Sequence, residues 1–153
     1  MTYYATDEKV RPLVEEFRRF DVDTQLGLLW FGYLDLKDQL NPVNANSSQT
    51  VAEAVFHQIE ALSKEEQLQA QRDIASCANS PISHQYGALD SSAKIDVWLR
   101  LAQGMEDGRI IQVPSDYQPP SETNNFVEQI QGLEFEQRLN FMRSLVMEMG
   151  ARQ

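Results

Sequence analysis

Apolar residues recur at helical spacing along this chain, and nowhere do they alternate over a useful length as a half-buried strand requires. Leu26, Leu29, Trp30 and Tyr33 stand at i, i+3, i+4 and i+7, which places them on one stripe of a helix. Trp98, Leu101, Ala102 and Met105 repeat the pattern further along. The seven glycines and six prolines cluster between such segments, as punctuation does in a helical chain. The fold class that follows is all-α. A chain of 153 residues can bury roughly two thirds of its unfolded surface as one domain, so it needs no staple. Its single cysteine, Cys77, cannot form an internal disulfide and reads as a reduced thiol in the cytoplasm.

Local signals set the expected helix bounds. The first helix is expected from Thr6 to Arg19, starting late or broken at Pro12, because proline lacks the amide proton a helix interior needs. The second is expected over Thr24 to Lys37. The polar run from Asn41 to Ser48 then separates it from a third helix that Ser48 caps and that reaches Leu62. Ser63 and Glu66 form a capping box opening a fourth helix that ends near Ala78. Ser80-Pro81 starts a short fifth. Ser91 or Ser92 opens a long sixth helix that Gly108 closes. After a loop from Ile110 to Pro120, two more helices are expected over Ser121–Gln131 and Glu134–Met149, the last capped by Gly150. No repeat, low-complexity tract or domain boundary interrupts the series, so residues 1–20 belong to the same domain as 21–153.

Charge excludes several functions. Thirteen basic against 23 acidic side chains give a net charge of −10, which repels nucleic acid phosphates and anionic membrane surfaces. No apolar stretch approaches the ~20 residues of a membrane span, and the first residues carry no apolar signal core. His57 and His84 are far apart, and no metal-ligand spacing, phosphate loop or nucleophile elbow occurs. The chain reads as a non-enzyme. What it has instead is two tryptophans at equivalent places on two stripes. These are either ordinary core, or two flat rings facing across a gap that suits an extended planar apolar ligand. Arg143 stands beside Leu139, Met142 and Val146 on the last helix. Either its stem covers apolar surface, or it lines a ligand or meets a partner.

Four segments, in order and with compatible spacing, carry a resemblance. Gln25-Leu26-Gly27-Leu28-Leu29-Trp30-Phe31-Gly32-Tyr33-Leu34-Asp35 resembles the second-helix signature of the orange carotenoid protein N-terminal domain. Asp96 to Leu101 with Met105 to Gly108 resembles that family's Trp-x-Arg-Leu helix, and Val113 to Tyr117 its Pro-x-x-Tyr loop. Gln131 to Glu134, Met142-Arg143 and Met149-Gly150 resemble its last helix. The likeness implies two intertwined four-helix subdomains with a carotenoid tunnel between them, residues 21–153 forming the carotenoid-binding domain. It implies a keto-carotenoid such as canthaxanthin, echinenone or 3'-hydroxyechinenone. It also implies photoprotection by quenching singlet oxygen or antenna excitation, or delivery of pigment to a partner domain, in a cyanobacterial cytoplasm, at the thylakoid-surface antenna or near it.

By resemblance, Trp30, Tyr33, Trp98 and Met105 contact the polyene or its rings, and Leu26, Leu29, Ala102, Val113, Pro114, Leu139 and Met149 line the tunnel. Tyr117 lies near one end. Arg143 matches a position tied to docking on the phycobilisome, although an acidic chain is ill suited to an acidic antenna. The sequence resembles the free-standing, single-domain members, in which a light-driven switch within one chain is not expected. Gln71 and Arg72 stand where a matching member carries Met and Cys, which makes one side of the tunnel more polar or narrower.

Overall fold

Pro12 falls in the first turn of α1 (Arg11–Arg19), where its missing N–H costs nothing, so the first helix starts late rather than breaking. This computed structural model describes residue 8 and residues 10–37 and 47–151. The expected start at Thr6 and the polar run from Asn41 to Asn46 lie outside the described residues, and the third helix begins at Ser47, so Ser48 falls inside it rather than at its cap.

All described regular structure is helical, with eight α-helices and one short 3-10 turn at Ser121–Thr123. The remaining helices are α2 (Val22–Leu36), α3 (Ser47–Glu60), α4 (Lys64–Ala75), α5 (Pro81–Gly87), α6 (Ser91–Asp107), α7 (Asn124–Gln131) and α8 (Phe135–Met147).

Their starts are chemical. Asp21 caps α2 by accepting from the Thr24 N–H at 2.8 Å, which moves that helix two residues earlier than expected. The Ser63–Glu66 box opens α4, and Ser80 caps α5. α6 opens at Ser91, one of the two expected positions, and its cap is Asp90, accepting from the Ala93 N–H at 2.8 Å. A carboxylate there also meets the positive end of the helix dipole.

The stops follow the same logic. Gly108 takes φ 87 at the end of α6, a conformation glycine reaches without a side-chain penalty. α4 ends at Ala75, short of Ala78, because Cys77 turns to φ 58. α8 ends at Met147, and Gly150 at φ 90 donates its N–H to the Ile74 carbonyl at 2.8 Å.

The helices pack as two groups. α3 lies on α6 and α4, and α5 lies on α3 and α4. α1 lies on α7 and α8, and α2 joins the groups by packing on α4, α6 and α8. In the second group a ring cluster forms the centre: Phe17 meets Phe141 edge-on at 6.2 Å, and Phe126 lies 5.8 Å from Phe141 and 5.3 Å from Phe20. In the first group Ala52, Val55, Phe56 and Ile59 of α3 are buried with Val97 and Leu101 of α6. Helix α2 is then tied to three neighbours by ion pairs, Asp23 to Arg72 of α4 at 2.7 Å, Asp35 to Arg138 of α8 at 2.7 Å, and Lys37 to Glu106 of α6 at 2.9 Å. These pairs fix its register on either side of the space between the groups.

Candidate functional site

That space is a cavity of about 390 Å³ walled by α2, α4, α6 and α8, within the size range of small-molecule sites. From α2 come Leu26, Leu29, Trp30, Tyr33 and Leu36, and from α6 Ile95, Trp98, Leu99, Ala102 and Met105. α8 contributes Phe135, Leu139, Met142, Arg143 and Val146, and α4 contributes Gln71. Nine of the thirteen residues singled out from the sequence are therefore on one wall: Leu26, Leu29, Trp30, Tyr33, Trp98, Ala102, Met105, Leu139 and Arg143.

The two tryptophans line one cavity from different helices, and each is held. Trp30 stacks on Tyr33 with ring centroids 5.8 Å apart. Trp98 donates its indole N–H to the Tyr86 hydroxyl at 3.0 Å. Tyr86 is wholly buried and donates on to the Val146 carbonyl, and burial pushes its ionisation well above the ordinary range. Tyr33 donates to Glu106, whose other oxygen accepts from Lys37 at 2.9 Å. Burial and then Glu106 raise the Tyr33 hydroxyl, while the bonds from Tyr33 and Lys37 hold the Glu106 carboxyl below its usual range. Tyr33 thus stays neutral and presents its ring, not a charge, to the cavity.

Four expected residues stand elsewhere. Tyr117 packs over Gly27, where an added Cβ would lie 2.6 Å from its ring, and stacks on Phe31 at 6.1 Å. Those positions belong to a different stripe of α2 from Leu26 and Trp30, and Tyr117 also lies close to Asp21 and Asp23 at the start of that helix. Val113 and Pro114 lie in the same connecting segment, outside the cavity wall. Met149 lines a second cavity of about 460 Å³ between α1, α2, α4 and α8, with Phe17, Cys77 and the Arg18–Glu148 ion pair of 2.8 Å. That charged pair makes the second space a poor apolar site.

The wall also holds residues the sequence reading did not name as ligand-lining. Ile95 and Leu36 continue the periodic stripes by one turn and Leu99 lies beside Trp98 within one, so that periodicity was the available signal. Leu101, by contrast, is fully buried in the α3–α6 core. Of the Gln71-Arg72 pair, Gln71 faces the cavity and is 2 % exposed, whereas Arg72 turns out to Asp23. Arg143 is on the wall and exposed. Among the described residues no cluster of His, Cys, Asp and Glu suits a metal ion, and no helix is long and apolar enough to cross a membrane.

Comparison with known proteins bears directly on this arrangement. The family described as "Orange carotenoid protein, N-terminal" matches residues 4–152. An orange carotenoid-binding domain-containing protein of Nostoc sp. is 31% identical over 146 residues, covering 95% of this chain and 85% of that protein. The orange carotenoid-binding protein of Synechocystis sp. is 31% identical over 138 residues, 90% of this chain but 44% of the relative. Among solved structures, a Red Carotenoid Protein of Anabaena (Nostoc) sp. binding canthaxanthin superposes with TM-score 0.81 at 36% identity, over 94% of this chain and 99% of the other. The Orange Carotenoid Protein of the same organism, also binding canthaxanthin, superposes with TM-score 0.87 at 28% identity, over 93% and 45%.

Proposed function

The chain belongs to the family of the orange carotenoid protein N-terminal domain, a family of carotenoid-binding proteins and not of enzymes, and we propose that it holds a keto-carotenoid in the cavity between its helix groups and acts in photoprotection. The observation that carries this reading is the meeting of Trp30 and Trp98, from different helices, on one largely apolar wall. An apolar wall with two anchored rings fits an extended conjugated molecule, and the few polar groups present fit its oxygenated ends. What a conjugated polyene supplies when bound is a set of low-lying electronic states that take up excitation and release it as heat.

The protein's own part is physical. Trp30, Tyr33, Trp98 and Met105 would hold the pigment, with Leu26, Leu29, Ala102 and Leu139 excluding water along its length. The Tyr33–Glu106 and Trp98–Tyr86 bonds fix the rings against which it lies. Tyr117, Val113, Pro114 and Met149 lie off the wall of this cavity. Canthaxanthin, borne by two structural neighbours, is the first candidate, with echinenone and 3'-hydroxyechinenone as its close chemical relatives.

Quenching of singlet oxygen by the free protein is favoured over docking on the phycobilisome, because the net charge of −10 opposes an acidic antenna. Singlet-oxygen phosphorescence tests this. Pigment-loaded protein is expected to shorten the emission lifetime well beyond the effect of the same protein without pigment. Equal lifetimes would overturn the protective role.

A further inference from the structure

Two glutamines stand one turn apart on α4, Gln67 and Gln71, and both are buried, at 1 % and 2 % exposure. Gln67 is fully used. Its Nε2 donates to the carbonyls of Glu60, Leu62 and Arg109 at 3.2, 3.3 and 3.2 Å, and its Oε1 accepts from the Ile111 N–H at 2.7 Å. Gln71 lines the cavity, and its Nε2 has no hydrogen-bond partner among the described residues. A buried amide donor left unmade is unfavourable, and such groups call for a partner.

The other polar groups on the wall are differently placed. The Tyr33 hydroxyl is committed to Glu106 and the Trp98 N–H to Tyr86. Arg143 is exposed and stays hydrated. Gln71 lies towards the start of α2. Its neighbour Arg72 is bound to Asp23 at the start of α2, whereas Tyr33 and Lys37 reach Glu106 from the far end of that helix.

We infer that Gln71 is a specificity residue: its Nε2–H donates to a carbonyl or hydroxyl oxygen on an end ring of the bound pigment, placing that ring at the Asp23 end of α2. The inference rests on the pigment-binding reading above. A purely hydrocarbon polyene leaves the donor unpaired, and a site built to hydrogen-bond an oxygen discriminates strongly against the analogue lacking it.

The full chain, loaded in competition with canthaxanthin (carbonyl), zeaxanthin (hydroxyl) and β-carotene (neither), tests this. Wild type is expected to retain at least one oxygenated pigment over β-carotene on the order of tenfold, the factor one buried hydrogen bond carries. Which of the two is preferred identifies the acceptor. Gln71→Leu and Gln71→Met, the latter keeping the chain length, are expected to erase the preference while helical circular dichroism persists.

For the preferred pigment, the vibrational band of the accepting C=O or C–O–H group should shift between wild type and Gln71→Met. Without pigment, Gln71→Met should be at least as stable as wild type, since it removes an unpaired buried donor. Equal retention of β-carotene by wild type, an unchanged preference or band in the variants, or a less stable pigment-free Gln71→Met would each overturn the role. Failure of wild type to retain any of the three pigments would overturn the pigment-binding reading itself, and the Gln71 role with it.

Discussion

Trp98 and Tyr86 are joined by a hydrogen bond of 3.0 Å from indole N–H to phenol oxygen, and the phenol O–H donates in turn to the Val146 carbonyl. This relay locks an α6 ring to α8 through a residue of α5. Tyr86→Phe removes the middle of the relay: the Trp98 N–H loses its partner, which costs about 1–3 kcal/mol for a buried donor, and the Val146 carbonyl keeps only its backbone bond from the Met149 N–H at 3.4 Å. A stability loss of about 2 kcal/mol is expected in urea unfolding, together with a shift of tryptophan emission. A variant with wild-type stability and emission would show that the relay does not position Trp98.

The two close-packed glycines of α2 should respond differently to alanine. At Gly27 a Cβ would sit 2.6 Å from the rigid Tyr117 ring. At Gly32 it would meet the terminal Sδ and Cε atoms of Met142 at 2.8 Å, which can rotate away. Overpacking costs about 1–3 kcal/mol, against about 1 kcal/mol gained in helix propensity. Gly27→Ala should therefore destabilise, while Gly32→Ala stays near neutral but presses Met142 towards the cavity and lowers pigment retention. Thermal unfolding and loading of the two variants, side by side, check this.

Much of this was legible beforehand because helices write their packing faces into sequence spacing. The stripes of α2 and α6 singled out Trp30 and Trp98, which line one cavity, and Ser63, Ser80 and Gly108 marked real helix ends, whereas α8 stops at Met147, before Gly150. What spacing cannot encode is which stripe of a helix meets which neighbour. Tyr117 is adjacent to α2, yet it packs over Gly27 and Phe31 rather than on the cavity wall. Met149 follows α8 but points into the second cavity. Gln67 and Gln71 look alike in sequence, and only the loops around Gln67 separate a satisfied glutamine from an unsatisfied one.

Acid should loosen the α2–α6 contact. Glu106 is held below its ordinary value of 4.5 by the Tyr33 and Lys37 bonds, so the folded state favours its charged form. The associated stabilisation is present above that value and is lost as pH falls through the lowered folded-state range. Glu106 is exposed, so the effect is about 1 kcal/mol or less. Expected is a decline in stability below the ordinary carboxylate range that is shallower in Glu106→Gln. Parallel pH profiles for the two proteins would contradict it.

Arg143 is exposed at the cavity wall, and one exposed cation contributes about 1 kcal/mol or less to a contact. Against a net charge of −10 we expect little quenching of isolated phycobilisomes at low salt, with any rise appearing only as screening shortens towards ~3 Å at 1 M. Strong low-salt quenching abolished by Arg143→Ala would show that antenna docking outranks free quenching.

The most direct measurement is the visible absorption spectrum of the protein purified from a carotenoid-making host, with the extracted pigment identified by mass. Wild type should carry a strong visible band from a keto-carotenoid. Trp30→Ala combined with Trp98→Ala should lose most of that band while remaining largely helical, since truncating each ring costs about 3–5 kcal/mol of packing where the pigment is held. A colourless wild-type protein, or a double variant that keeps its pigment, would contradict the assignment of this cavity to a carotenoid.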